Sequence, residues 1–133
     1  MFCSYCIIPF ARGRIRSRAQ EDIVRELEGL AGKGVKEVVL TGIHLSSYGT
    51  DTGSSLMELI EAVCAIPQVA RVRLGSLEPG IVTPAFAERA ASLEKLCPHF
   101  HLSLQSGCDR TLKAMNRKYD TAFFYRTVEL LRE

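Results

Sequence analysis

The chain has no tryptophan and only five prolines, and no apolar run longer than a few residues, Val38-Val39-Leu40 being typical. Runs that short exclude a membrane-spanning helix, which needs about 20 consecutive apolar residues. No positively charged leader with an apolar stretch opens the sequence, so a signal peptide is not expected and the expected compartment is the cytoplasm. Neither sign of charge dominates: 17 Lys and Arg against 15 Asp and Glu leave +2, too little to argue for a nucleic-acid partner by itself. The cysteines number five. An odd count without a secretory signal disfavours a disulfide framework and favours a metal, a catalytic thiol or plain burial.

What remains is an ordinary globular composition, 133 residues with 47% hydrophobic and 24% charged side chains, enough for one domain with a real core. Its pattern alternates between helical and strand periods. Ser17-Arg-Ala-Gln20 has capping-box spacing ahead of Ile23, Leu27, Leu30 and Ala31 on one helical face, and Gly32 and Gly34 stop that helix. Val35 to Thr41 is apolar and β-branched, which predicts a strand buried on both faces. A second capping box, Ser55-Leu-Met-Glu58, opens a stripe of Leu56, Leu59, Ile60 and Val63 that ends before Pro67, and a strand from Ala70 to Gly75 follows. Thr83-Pro84 starts a helix running toward Pro98, a third strand is expected from about Phe100 to Leu104, Asp109 caps a short turn, and Thr121 to Leu131 forms the last helix. Strand, helix and strand at such intervals point to right-handed βαβ units, a parallel sheet and the α/β class. Three strands are few for a covered sheet, so the chain reads as a piece of a larger barrel or as an open sheet with an exposed edge, through which it could self-associate.

In parallel α/β folds, function gathers where strands run into loops at their C-terminal ends. Each exit here is polar: Thr41-Gly42-Ile43-His44, Ser76-Leu77-Glu78 and Gln105-Ser106-Gly107-Cys108. His44 suits a ligand, a general base or a surface hydrogen bond. Glu78 suits an anchor for a ribose or an amine, or a solvated turn. Gln105 and Ser106 offer neutral donors and acceptors for sugar hydroxyls or a base edge.

The first residues carry a thiol pair, Cys3-Ser4-Tyr5-Cys6, which has three physical explanations. A thioredoxin-like site needs the pair at a helix start, but Ile7-Ile8-Pro9 and a basic loop follow. A structural zinc site needs two more ligands at suitable spacing, and no second C-x-x-C or close His pair occurs. An iron–sulfur cluster needs at least one further thiolate from upstream. Cys64 and Cys97 read as buried apolar groups, and Cys108, without a nearby base, reads as incidental. Arg12, Arg14, Arg16 and Arg18 alternate, so an extended segment would carry them on one side, either as a solvated loop or as a grip for phosphate or carboxylate.

Five motifs in order, Phe2-Cys-Ser-Tyr-Cys-Ile-Ile-Pro-Phe-Ala-Arg-Gly-Arg14, Leu40-Thr-Gly-Ile-His-Leu-Ser-Ser-Tyr-Gly49, Leu74-Gly-Ser-Leu-Glu-Pro79, Leu102-Ser-Leu-Gln-Ser-Gly-Cys-Asp-Arg110 and Met115-Asn-Arg-Lys-Tyr119, resemble the radical S-adenosylmethionine tRNA methylthiotransferases over nearly the whole chain. The second motif looks most like the branch acting on N6-threonylcarbamoyladenosine beside the anticodon; the branches acting on isopentenyladenosine or on a ribosomal protein are close relatives. The resemblance implies part of a (β/α) partial TIM barrel, here about three strands and four helices. It implies a C-x-x-x-C-x-x-C loop whose thiolates hold a [4Fe–4S] cluster that binds S-adenosylmethionine and generates a 5′-deoxyadenosyl radical from it, with tRNA as the macromolecular partner. Cys3 and Cys6 match the second and third ligands; the first belongs four positions before Cys3. By position, Thr41, Gly42 and His44 fall where the superfamily contacts the methionine amine, and Ser76, Glu78, Gln105 and Ser106 fall where ribose or methionine is met. Residues 1–133 are accordingly expected to be the central core alone, without the preceding strand, the N-terminal domain with its second cluster or the C-terminal RNA-binding barrel, and to be inactive by themselves. The alternatives are a non-catalytic βαβ scaffold and a thiol oxidoreductase.

Overall fold

The computed structural model describes residues 3–132. Six α-helices and two strands follow in the order α1 (Ile8–Arg12), α2 (Gln20–Gly32), β1 (Glu37–Leu40), α3 (Leu56–Cys64), β2 (Arg71–Leu74), α4 (Pro84–Ala91), α5 (Asp109–Ala114) and α6 (Thr121–Leu130), with short 3-10 turns at Leu45–Ser47 and Pro79–Ile81. β1 and β2 pair in parallel, Glu37 opposite Arg71 and Leu40 opposite Leu74, and the α3 crossover joins them. This is an α/β chain.

Local sequence explains several boundaries. The Ser55 box forms in full: Glu58 N–H donates to Ser55 Oγ at 3.2 Å and Ser55 N–H to Glu58 Oε2 at 2.9 Å. Thr83 Oγ1 accepts from Phe86 N–H at 3.2 Å with Pro84 in the first turn, and Asp120 Oδ1 accepts from Phe123 N–H at 2.7 Å. The core lies between the helices and one sheet face, where Ile60, Val63, Val69, Val72 and Leu77 are fully buried. Cys64 and Cys97 are buried there as expected.

Several expectations are corrected. Asp109 does not cap α5: it is the first residue of that helix, the N-cap Cys108 makes no side-chain cap bond, and Asp109 Oδ1 accepts from Thr121 N–H at 2.8 Å instead. Ser17 does not cap α2, whose N-cap is Ala19 and has no side-chain cap bond; the Ser17 hydroxyl is bonded instead to Asp51, far along the chain. The α4 helix stops at Ala91, well short of Pro98, and the basic stretch begins with an unexpected helix, α1. β1 is covered on one face only: Val38 and Leu40 are buried, while Val39 is 54% exposed beside Glu37, which pairs with Arg71 at 3.3 Å. Among the described residues, helices pack on the Val38 side and leave the Val39 side exposed. Finally, the third strand does not form a ladder. Residues 95–103 run beside β2 and the segment that leaves it, bridging once to the strand, at Val72 with Leu96, and once beyond its end, at Leu77 with Leu102, both in parallel sense. Between these bridges Pro98 has no N–H to donate and His99 N–H turns back to Cys97 O at 2.7 Å, so pairing is interrupted.

Candidate functional site

The first two strand exits close around one cavity of about 190 Å³, lined by Thr41, Gly42, His44, Ser46, Ser76 and Glu78 among others. The sequence places Thr41 there by leaving Gly75 opposite it: a Cβ on Gly75 would lie 3.0 Å from Thr41 Oγ1. Ser46 joins the two loops, its hydroxyl accepting from Glu78 N–H at 2.9 Å. His44 Nδ1 is hydrogen-bonded to Ser47 Oγ, so this imidazole is oriented from within its own loop. The cavity is smaller than the roughly 300–1,000 Å³ of a complete small-molecule site, a size that fits part of a ligand.

Loop 44–53 is held by bonds to the segment before α2. Ser17 donates from N–H and Oγ to the Asp51 carboxylate at 2.8 and 2.5 Å, Gly49 N–H donates to Ser17 Oγ at 2.9 Å, and Tyr48 OH donates to Arg18 O at 2.9 Å. The Ser17 bonds hold the Asp51 carboxyl below its ordinary range. Gly49 has φ +83°, and a Cβ there would overlap Ser54 C at 2.3 Å, so the tight return of this loop requires glycine.

The third exit is built differently. Ser103, which the sequence did not single out, reaches the cavity, whereas Ser106 Oγ is engaged by Cys108 N–H at 3.2 Å. Gln105 is held at φ +67°, a left-handed backbone that costs a non-glycine residue about 1–3 kcal/mol and tends to occur at functional sites. Tyr119 OH pins this stretch by donating to Ser103 O at 2.5 Å and Leu104 O at 3.0 Å. Cys108 is exposed, and the N–H and hydroxyl of Thr111 lower its thiol pKa.

Cys3 and Cys6 are free, half-buried and brought together by a turn in which Cys6 N–H donates to Cys3 O at 3.1 Å. Their loop sits on the same rim. Tyr5 OH donates to Gln105 Oε1 at 3.3 Å and accepts from Arg117 Nη2 at 3.0 Å, and Arg117 Nη1 donates to both Glu78 oxygens at 2.7 and 2.9 Å. Burial works against the charge on Arg117, but its bonds to Tyr5 and Glu78 outweigh burial and raise its pKa. The thiol loop and all three exits therefore meet, and Arg117, Tyr5 and Ser46 are the connectors the sequence did not reveal.

The family described as the Radical SAM superfamily matches residues 1–133. The chain belongs to the radical SAM superfamily. It is 44% identical over 134 residues to a tRNA-2-methylthio-N(6)-dimethylallyladenosine synthase of Caldicellulosiruptor saccharolyticus, covering 99% of this chain and 28% of that protein. It is 44% identical over 131 residues to the Threonylcarbamoyladenosine tRNA methylthiotransferase MtaB of Thermotoga maritima, covering 98% of this chain and 30% of the relative. To the MtaB of Aquifex aeolicus it is 42% identical over 132 residues, covering 99% and 32%. The chain thus spans about a third or less of these curated relatives.

Radical SAM membership implies a [4Fe–4S] cluster and S-adenosylmethionine for the parent protein. The donor set fits that cluster as far as it extends: two unpaired soft thiols in one turn, whose Tyr5 is tied through Arg117 to Glu78 of the polar cavity. Among the described residues no group of three or more His, Cys, Asp or Glu gathers to hold a metal, so these two thiols have no third partner there. No helix among the described residues is long and apolar enough to cross a membrane.

Proposed function

We propose that this chain is the cluster-binding and S-adenosylmethionine-binding core of a tRNA methylthiotransferase, whose parent protein attaches a methylthio group to C2 of a modified adenosine at tRNA position 37. The observation that carries the reading is the meeting of the Cys3/Cys6 loop with the polar cavity at the strand exits, on one rim of an α/β wall. When bound, the cluster supplies one-electron cleavage of S-adenosylmethionine. Cys3 and Cys6 hold it. Thr41 Oγ1, the Gly42 backbone and the oriented His44 ring offer donors and acceptors to the amine and carboxylate of the methionine end, and Ser76, which lines the cavity, offers them to a ribose hydroxyl, as does the Gln105 amide beside it, whose Oε1 already accepts from Tyr5 OH. Glu78 lines the same cavity with both oxygens already engaged by Arg117, so it faces a ligand as half of an ion pair.

For the RNA partner, Arg12, Arg14 and Arg16 are exposed beside Phe10, which is 86% exposed, a combination suited to phosphates and an unstacked base. Arg18 is excluded from that role because it pairs with Glu26 and bonds Asp22 O at 3.2 Å.

The threonylcarbamoyladenosine branch is the preferred substrate reading, on the Thr41 to Gly49 motif. The dimethylallyladenosine branch is the second reading, because a relative named for it is as similar, 44% identical in each case. Nucleoside mass spectrometry of tRNA from cells deleted for the parent gene separates them. Loss of the methylthio group from threonylcarbamoyladenosine is the expected result, loss from dimethylallyladenosine selects the second branch, and unchanged tRNA contradicts both.

The 133-residue chain carries two of the three thiolates of the family loop. Holding a [4Fe–4S] cluster takes a further thiolate besides these two.

A further inference from the structure

The motif Met115 to Tyr119 is where the thiol loop is fastened. α5 ends in a Schellman arrangement: Asn116 adopts φ +58°, Asn116 N–H returns to Lys113 O at 3.0 Å and Arg117 N–H to Leu112 O at 2.9 Å. Two of the last carbonyls of α5 are taken by Ser4, whose N–H donates to Met115 O at 3.1 Å and whose hydroxyl donates to Ala114 O at 3.0 Å. The same turn delivers Arg117 to Tyr5, to Glu78 and, at 5.9 Å, over the Tyr119 ring. Both residues between the cysteines are thereby bound to residues 114–117.

The Arg117 side chain is only 5% exposed, and its Nε is buried without a hydrogen-bond partner. A desolvated ion pair with an orphaned N–H is a poor source of stability compared with apolar packing of the same volume. What it does supply is fixed geometry, because a planar fork joins a phenol and a carboxylate from separate loops at set angles.

We propose that Arg117 is a positioning residue of the cluster loop: by holding Tyr5 between the two cysteines and Glu78 at the β2 exit, it fixes Cys3 and Cys6 against the rim of the cavity. That the loop carries a cluster rests on the function proposed above. The docking itself is read in the metal-free chain, so failure of docking and failure of cluster binding are separate outcomes.

The test compares Tyr5→Phe, which keeps the ring and loses the hydroxyl, with Arg117→Met and Arg117→Lys. Amide hydrogen exchange at Ser4 and Cys6 is followed by NMR, and alkylation of each cysteine by a neutral reagent is followed by mass spectrometry. Loss of a charge-assisted hydrogen bond is expected to raise exchange at Ser4 and Cys6, and alkylation of Cys3 and Cys6, on the order of tenfold in Tyr5→Phe and Arg117→Met. Arg117→Lys, which keeps the charge without the fork, should recover part of the protection. Buried Cys64 and Cys97 and the β1–β2 amides should be unchanged. Unaltered Ser4 and Cys6 exchange in Tyr5→Phe overturns the proposal. So does a rise in Cys64 and Cys97 reactivity parallel to that of Cys3 and Cys6, which assigns Arg117 to general stability. If Arg117→Met fails to fold, Tyr5→Phe and Arg117→Lys decide between these outcomes.

Discussion

Single residues in this rim are constrained by partners distant in sequence. Asp51 illustrates it: its carboxylate holds Ser17 and through it the segment that leads from the arginines to α2. The Ser17 bonds lower its pKa in the folded chain, so the stabilisation is present above the unfolded carboxylate value of about 3.9 and is lost as pH falls through the lower folded value. Acid unfolding followed by circular dichroism should therefore show less loss of stability below about pH 4 in Asp51→Asn than in the parent, with lower stability of the variant at neutral pH. Identical acid profiles contradict the role given to Asp51. The same residue explains why the Ser17 capping box was misleading. A serine three residues before a glutamine predicts a cap only if its hydroxyl is not claimed elsewhere, and the claim comes from 34 residues away. Arg117 was illegible for the same reason, since its partners Glu78 and Tyr5 lie 39 and 112 positions distant.

Elements whose boundaries depend on local chemistry were legible. The Ser55 box and the Thr83-Pro84 start of α4 both form, each from residues within one helical turn, whereas the Asp109 cap does not, its carboxylate being bonded to Thr121 N–H. Ser55→Ala is expected to cost about 1 kcal/mol in urea unfolding, because it strands the Glu58 N–H, while Ser17→Ala should leave the helicity of α2 unchanged. Equal losses of helicity in both variants contradict the assignment of caps. The third strand was less legible because periodicity locates an apolar stretch but not its pairing. Leu96 meets β2 at Val72 and Leu102 meets Leu77 beyond the strand's end, and the Pro98-His99 interruption between them decides that no ladder forms. Burial of β1 on both faces was overestimated on similar grounds: β-branched composition reports a capacity for burial, and helices occupy only one side.

At the scale of the whole molecule, the polar exits of the first two strands share a rim, where Thr41, Gly42, His44, Ser76 and Glu78 line one cavity. Gln105 and Ser106 lie beside it, one tied to the thiol loop and the other to the turn before α5. The α/β wall with helices on one side, the Cys3/Cys6 loop over its exits and the match of the radical SAM family to residues 1–133 are mutually consistent. The central claim is that Cys3 and Cys6 are cluster ligands, two of three. It is tested most directly by anaerobic reconstitution with iron and sulfide, read by iron content, visible absorption and electron paramagnetic resonance. Three chains are compared: the 133-residue chain, the same chain extended to place a cysteine four positions before Cys3, and that extended chain with Cys3→Ser and Cys6→Ser. The account predicts a stable, stoichiometric [4Fe–4S] signal in the extended chain alone. A stoichiometric cluster in the unextended chain, or one that survives loss of both cysteines, contradicts it.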